Sequence, residues 1–518
     1  MFVIKIISTV IFLVAITIQF KYFMHMFQLN SYNEKTQAGW YNKNAIKLLP
    51  CILVFAICEL IKLFPFFKNE ADILIIAVIT LLFSLAYMEN KEKTKKKLVM
   101  TMRVKRMCTT DYIIICALIV WAVLCKNPGN AALIYASVFT FIPVIIILGN
   151  VINKPVEKAV NNHYIKEAKN ILKEHKDLRI IGITGSFGKT SVKYYLNTLL
   201  KAGFNVLMTP ESYNTPMGVV KTIRGSLKPV HEVFICEMGA KKVGEIKEIC
   251  DIVNPHDGII TSIGPQHLET FKTLENVKKT KFELADALPE DGILLVNGND
   301  ENIKEYNYNR NMITYGLTKD CDYYAYNINV DNKGTSFTLK KGDEECEFKT
   351  DLIGKHNVIN IVGTIAMANL MGLSLKQLKP QVSKLESVPH RLQLIQKNGI
   401  TIIDDAFNSN PSGSKAALDT LALFHGTKIL ITPGMVELGS REVELNTEFG
   451  RQAADVCDYI FLVGIGRTKP IYNGIMEKGF DKNKVMAYDT LMEALDKMYS
   501  LSESDKIVLL ENDLPDNY

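Results

Sequence analysis

Leu178-Arg-Ile-Ile-Gly-Ile-Thr184-Gly185-Ser186-Phe-Gly188-Lys189-Thr190-Ser191 decides the fold of the larger part of this chain. Leu178 to Ile183 is a short run of branched apolar residues, the composition of a buried strand. A glycine turn follows, and Val192 to Ala202 then takes up a helical pattern. Strand, glycine turn and helix make a phosphate cradle, because the first amides of a helix have no intrahelical acceptor and its dipole favours an anion there. Gly185 and Gly188 let the backbone approach phosphate, Lys189 can reach β- and γ-oxygens, and the Thr190 hydroxyl can ligate Mg²⁺. Thr184, Ser186 and Ser191 complete the set expected around the nucleotide. The spacing departs from a strict G-x-x-x-x-G-K-T, because Ile183 holds the first glycine position.

Upstream of the cradle the chain changes character. Five apolar stretches, Phe2 to Phe20, Leu48 to Phe67, Ala71 to Met88, Tyr112 to Cys125 and Ala131 to Gly149, open the 518 residues. A bilayer core asks for ~20 apolar helical residues, so 1–150 read as a membrane helix bundle of about five transmembrane helices, the fourth stretch being short. A signal peptide would explain the first stretch and none of the others. Lys154 to His175 mixes Glu, Lys and Ala with periodic Val, Ile and Leu, which predicts an amphipathic linker helix over 151–176.

Charge follows the same division. Residues 1–150 hold 16 Lys and Arg against 7 Asp and Glu, a balance of +9, so the rest of the chain must carry −4 to reach the total of +5. A nucleic-acid enzyme would place its positive charge around the catalytic part, so no nucleic-acid partner is expected. Eight basic residues between Glu89 and Arg106 mark that loop as cytoplasmic. Five crossings then put the N-terminus outside and everything after residue 150 in the cytoplasm, with ATP. The ten cysteines never form a C-x-x-C pair, which argues against a zinc ribbon and for small buried side chains in a reducing compartment.

Downstream of the cradle, polar residues recur at the ends of predicted strands. Glu232 to Cys236 is a strand running into Glu237, a carboxylate placed to hold Mg²⁺ near the phosphate loop. His267 closes Ile259-Ile-Thr-Ser-Ile-Gly-Pro-Gln-His, and Asn276 to Leu284 is a lysine-rich helix, N-V-K-K-T-K-F-E-L. Asn214 lies in Thr209 to Gly218, Asn297 in Leu295 to Asp300, and His356, Asn357 and Asn360 in Gly354 to Asn360. A new unit begins at Pro389-His-Arg391-Leu, followed by a strand into Asp404-Asp405-Ala-Phe-Asn408. Strands near Lys428 to Thr432, Tyr459 to Val463, Val485 to Tyr488 and Lys506 to Leu510 alternate with helices, which predicts a parallel Rossmann-type sheet.

In order and spacing these motifs resemble those of the Mur ligases, the ATP-dependent amide-forming enzymes of peptidoglycan synthesis, over roughly residues 176–511. The resemblance implies an α/β fold with a P-loop-type central ATPase domain over 177–388 and a C-terminal Rossmann-like domain over 389–518. It implies ATP and Mg²⁺ as cofactors, Thr190, Glu237, His267 and Lys281 toward metal, and carbamylation of Lys281, with Lys279 the alternative register. It places Asn297, His356, Asn357 and Asn360 beside adenine, to which amides can both donate and accept. Arg391 would reach the phosphates, Asp405 the ribose or a metal-bound water, and Asn408 the reacting phosphate, so that Lys189, Lys281, His267, Asp405 and Asn408 form the catalytic set. The nearest branch of the family adds D-alanyl-D-alanine through an acyl phosphate.

Three departures bear on substrate. Gly434 stands where that branch has Asp in G-D-M-x-E-L-G, and the chain ends in Leu-Leu-Glu511-Asn-Asp where the branch carries K-G-S-R. Membrane helices replace the N-terminal domain that grips the UDP part of the precursor. The expected partners are therefore a peptidoglycan precursor, UDP-linked or lipid-linked, an amino-acid or dipeptide acceptor, and membrane lipids. The rival readings are a ligase of the same superfamily with another acceptor, such as a polyglutamate-forming enzyme, and an ATP-sensing membrane protein.

Overall fold

Each of the five apolar stretches carries a helix in the structure, a computed structural model that describes residues 2–62, 71–89, 97–125, 127–306, 308–331, 333–397, 399–407, 410–503 and 505–513. The helices are α1 (Phe2–Leu29), α2 (Glu34–Lys43), α3 (Leu49–Lys62), α4 (Ala71–Glu89), α5 (Met102–Leu124) and α6 (Pro128–Glu174), of which α2 is the polar connection. The helices α1 to α5 and α6 as far as Asn162 belong to one compact unit, Met1–Asn162, and His163–Leu514 form the other.

In the first unit, Phe12, Ile16, Phe20, Phe23 and Phe27 of α1 pack with Ile73, Ile76 and Ala77 of α4 and with Tyr135, Phe139 and Ile142 of α6. The opposite faces are equally apolar and stay exposed: Val3, Val10 and Val14 on α1, Ile113, Val120 and Trp121 on α5, Phe141, Val144 and Leu148 on α6. Among the described residues three helices, not five, are long and apolar enough to cross a membrane: Val3–Leu29, Met102–Leu124 and Gly129–Glu174. The apolar part of α4, Ile73–Leu85, is shorter, and α3 has 14 residues, a rise of about 21 Å against a core of about 30 Å. The fourth stretch gains length because Thr101 caps the helix through Val104 N and adds polar turns before Tyr112. The segment 151–176 is no separate linker, since α6 runs unbroken through Pro143 and Pro155 for 47 residues. Most of the basic loop after α4 (90–96), Lys68 and Lys126 lie outside the described residues.

The second unit contains two sheets. The first is built from β1 (Arg179–Thr184), β2 (Val206–Met208), β3 (Val233–Glu237), β4 (Asp257–Ile260), β5 (Leu294–Asn297), β6 (Ile313–Gly316), β7 (Tyr323–Asp331), β8 (Gly334–Lys341) and β9 (Glu344–Thr350). Its order is β2-β3-β1-β4-β5-β6-β7-β8-β9. The strands from β2 to β7 pair in parallel, and β8 and β9 close the sheet as antiparallel hairpins. Buried Ile and Val on both faces of the central strands are what a parallel sheet covered by helices requires.

The second sheet is built from β10 (Gln393–Lys397), β11 (Ile400–Asp405), β12 (Thr427–Thr432), β13 (Tyr459–Val463), β14 (Val485–Tyr488) and β15 (Lys506–Glu511), in the order β10-β11-β15-β12-β13-β14. All but the β10–β11 pair are parallel, so both sheets are mixed. Two close approaches set the geometry of the site. A Cβ on Gly182 of β1 would lie 2.6 Å from a Leu284 methyl, and one on Gly258 of β4 would lie 3.1 Å from Leu284. The two glycines let the helix Leu274–Ala287 settle directly against β1 and β4.

Candidate active site

Three loops meet at the carboxyl ends of β1, β3 and β4, where the strand order reverses around β1 and where open α/β sheets bind ligands. In the first loop Gly185 and Gly188 have φ of 152° and 84°. A Cβ on Gly185 would come within 2.1 Å of the Thr261 hydroxyl, so only glycine fits. The amides of Ser186 and Phe187 donate to the carbonyl and hydroxyl of Ser262, tying the turn to the loop after β4. The helix α7 (Lys189–Leu200) follows with Gly188 as its N-cap, and its first amides face an anion site. Lys189 Nζ folds back to donate to the carbonyls of Gly185, at 2.5 Å, and Ser186, at 3.4 Å. Burial, opposed by Glu237 and reinforced by Arg391, pulls the Lys189 ammonium down to about 8; an arriving phosphate would raise it again.

Glu237 is the hub. Thr190 Oγ1 and Asn214 Nδ2 each donate to its Oε1 at 3.1 Å. The Lys193 ammonium lies 3.1 Å from Oε2, at ion-pair distance but outside hydrogen-bond geometry, which leaves Oε2 a buried acceptor without a donor. Burial pushes the Glu237 carboxyl up, and Lys193, Lys189 and the Asn214 amide outweigh it and hold the group below the ordinary range. A hydroxyl and a carboxylate with an unsatisfied oxygen are hard donors, the kind of set Mg²⁺ takes from a protein when phosphates supply the rest. No cluster of three or more His, Cys, Asp or Glu suited to a metal occurs among the described residues. Lys193, fully buried, is a site residue that sequence reasoning missed; its place one turn after Lys189 was the available signal.

Lys281 is 1% exposed and makes no hydrogen bond or ion pair among the described residues. Burial and the charge of Lys189 hold its ammonium well below the usual lysine range. Lys279 on the same helix is exposed to solvent. His267 precedes the short helix Leu268–Phe271 with a φ of 51°, and its Nδ1 is hydrogen-bonded to Glu437 Oε2. Lys241 Nζ reaches Glu437 Oε1 at 3.1 Å. Burial pushes the Glu437 carboxyl up, but His267 and Lys241 hold it at about 2.

From the six-stranded sheet come Arg391 and Asp405. The Arg391 guanidinium lies over the Phe407 ring, 4.9 Å from its centre, and near enough to Glu237, Asp405 and Lys189 to act on all three. The Leu392 amide donates to Asp405 Oδ1 at 3.1 Å. Burial, partly offset by Arg391, raises the Asp405 carboxyl to about 6. Beside it in register is Glu511, fully buried and accepting from the Ser414 hydroxyl at 2.8 Å. Asn408 lies outside the described residues.

The residues expected around adenine divide. The Asn360 side chain makes no hydrogen bond among the described residues, and its Oδ1 stands 2.7 Å from where a Cβ on Gly188 would be, against the phosphate turn. Burial takes His356 down to about 4, a neutral ring edge-on to Phe187. Asn297 and Asn357 use their amides internally. Asn297 donates to the Thr261 carbonyl and accepts from the Asn299 amide, and Asn357 bonds Tyr195 and the Ile353 carbonyl. The Thr184 hydroxyl is likewise engaged with the Met238 carbonyl. These three shape the walls of the site.

Known proteins are similar to this chain in sequence and fold. Residues 183–368 match the family model of the Mur ligase middle domain, and residues 390–511 that of the Mur ligase, glutamate ligase domain. The UDP-N-acetylmuramoyl-tripeptide--D-alanyl-D-alanine ligase of Bacillus subtilis is 30% identical over 64% of this chain and 72% of its own length. Its counterpart in Escherichia coli is 31% identical over 55% of this chain, a match that spans 64% of the relative. A crystal structure of the MurF ligase of Thermotoga maritima in complex with ADP superposes with a TM-score of 0.62 and 25% identity, over 68% of this chain and 80% of that one. With both family models matched over 183–368 and 390–511 and relatives at this level of identity, the chain belongs to the Mur ligase family of ATP-dependent ligases that join an acid to an amino group.

Proposed function

We propose that this protein is a membrane-anchored ligase of the MurF type, joining the terminal carboxylate of a peptidoglycan precursor peptide to the amine of D-alanyl-D-alanine. The observation that carries the reading is the convergence of Lys189, Thr190, Glu237, Lys281 and Arg391 on one turn, together with the named relatives. Carboxylate and amine do not condense in water, because oxide is a poor leaving group. The donor carboxylate attacks the γ-phosphorus of ATP and releases ADP; the acceptor amine then attacks the acyl carbon, and phosphate leaves with one carboxylate oxygen. Lys189 and Arg391 stand where negative charge gathers during the transfer.

Thr190 and Glu237 are the residues that would hold Mg²⁺, which when bound neutralises phosphate charge. His267 and Lys281 would serve a second ion. Lys281 is suited to carbamylation because burial and the charge of Lys189 favour release of its ammonium proton: the freed nitrogen bonds the carbon of CO₂, loses a further proton and presents a carboxylate. Arg391 and Asp405, brought by the second sheet, close over the nucleotide and keep water from the acyl phosphate. Asn408 is assigned the reacting phosphate by resemblance alone.

Three long apolar helices with outward Val, Ile, Trp and Phe side chains support residues 1–150 as a membrane domain, since water-facing surfaces of that composition are rare. With α3 and α4 crossing as a pair the spans number five, and the N-terminus and the ligase unit lie on opposite sides. Arg103, Lys105 and Arg106 at the start of α5 favour the cytoplasm for that end, and hence for the ligase unit. Lipids are then neighbours, and the donor is either UDP-linked or lipid-linked.

Release of ADP by the full chain in detergent tests the reading, with UDP-MurNAc-tripeptide or its lipid-linked form as donor and D-alanyl-D-alanine or single amino acids as acceptors. Turnover that needs the dipeptide is expected, and the donor preferred tells what the helices serve. Turnover only with glutamate would turn the assignment toward a polyglutamate-forming enzyme. Tight ATP binding without turnover on any pair would turn it toward an ATP sensor.

A further inference from the structure

The nine-stranded sheet supplies His267, but the group that orients it comes from the other sheet. Glu437 lies in the loop between β12 and the helix Glu442–Val456, 170 positions away in the chain. Its carboxylate bonds Nδ1 of His267 and the ammonium of Lys241, and its own carbonyl accepts from the Glu269 amide at 3.4 Å. A Cβ on Gly439 would sit 3.4 Å from that same amide nitrogen, so the loop is seated on the turn 267–270. His267 and Glu437 are both non-glycine residues in left-handed conformations, with φ of 51° and 63°. Such conformations persist where surrounding contacts fix them, and they gather at functional sites.

A carboxylate on Nδ1 can only accept, so Nδ1 must carry the proton and the ring's available lone pair is on Nε2. We propose that Glu437 is a positioning residue: by holding His267 in the Nδ1–H form it turns Nε2 outward as a ligand, and it does so only while the six-stranded sheet is docked on the nine-stranded one. The proposal rests on the reading of His267 as a metal ligand given above. It adds that the metal site is completed by domain closure, because one of its supports is carried by the closing part. Ligating histidines are commonly oriented through the second ring nitrogen in this way, and losing that support lowers metal affinity by about 10- to 100-fold.

The test uses the full chain with Mn²⁺ as probe, titrated in saturating AMP-PCP and followed by EPR, beside ¹⁵N spectra of histidine-labelled protein in which His267 is identified by its loss in His267→Gln. Glu437→Ala is expected to weaken the Mn²⁺ site that His267→Gln removes by ~10-fold or more, and to shift His267 away from the Nδ1–H form. Glu437→Gln keeps an acceptor and is expected to weaken the site less than Ala does. Lys241→Ala, which leaves the His267 contact in place, is expected to keep both the affinity and the spectrum. Affinity within ~2-fold of the parent in Glu437→Ala, below the smallest loss expected of a ligand's support, or an Nε2–H His267 in the unaltered protein, would overturn the proposal while leaving the ligase reading intact. If His267→Gln itself binds Mn²⁺ like the parent, the metal reading of His267 fails and the proposal with it.

Discussion

At the strand ends of the nine-stranded sheet basic groups outnumber acidic ones, with Lys189 and Lys193 set around Glu237 and Lys281 within reach of Lys189. At the ends of β11 and β15 the balance is reversed, with Asp404, Asp405 and Glu511 beside Arg391. Burial acts on each group in the direction that removes its charge: Lys189 and Lys281 are pulled down, and Asp405 is pushed up. The first edge is a surplus of buried amines that a polyanion would satisfy. The second is a surplus of carboxyls, met by Arg391 and by His390, the Leu392 amide and the Ser414 hydroxyl. A site for phosphoryl transfer is made by bringing these two unsatisfied edges together, which neither sheet could do alone.

The largest effect expected from breaking the cationic edge is on turnover. Lys189→Ala should lower the rate of ADP release by about a thousandfold, as loss of a group that meets developing charge does, with the melting temperature little changed. Lys193 lies at the same edge but predicts a different outcome. Removing one partner of a fully buried ion pair costs about 3–5 kcal/mol, so Lys193→Met should destabilise the ligase unit strongly in thermal or denaturant unfolding. Adding Glu237→Gln should recover much of that loss.

The carboxyl edge gives a pH signature. The folded-state value of Asp405, about 6, lies above that of an unfolded aspartate, so the folded chain binds the extra proton between about pH 4 and 6. Its burden on stability is therefore full above pH 6 and is relieved as pH falls toward 4. Activity should move the opposite way if the ionised group contacts the nucleotide: kcat/KM should fall about tenfold for each unit of pH below 6, and Asp405→Asn should be slow and flat across that range while more stable at pH 8. The smallest effect concerns the acceptor side. Gly434 has a φ of 81°, and a Cβ there would stand 2.9 Å from Ile471 and 3.0 Å from Asn446 Oδ1. Gly434→Asp, which restores the family's residue, should cost about 1–2 kcal/mol in thermal unfolding. A stable variant would show that this edge still accommodates the family's arrangement.

The contrast also explains what the sequence disclosed. The phosphate turn was legible because its chemistry lies in consecutive residues, and Glu237 because a strand end carries its side chain to the loop. Lys193 was not, since an apolar-looking helix face gave no sign that a lysine would turn inward to meet a carboxylate 44 positions later. Glu437 was hidden for the same reason, 170 positions from the histidine it holds. Asn297 and Asn357 read as base contacts because an amide that closes a turn and one that meets adenine look alike in sequence. Among the helices, hydropathy located all five stretches but misjudged their lengths. It undercounted α5, whose polar first turns extend an apolar helix, and the end of the second stretch lies outside the described residues.

An isotope experiment tests the central claim most directly. The full chain is given ATP, D-alanyl-D-alanine and a precursor tripeptide whose terminal carboxylate carries ¹⁸O. Attack of that carboxylate on the γ-phosphorus requires one labelled oxygen to leave with phosphate, so mass spectrometry should find singly labelled phosphate in step with the new amide. ADP and unlabelled phosphate formed whether or not the dipeptide is present would contradict the account.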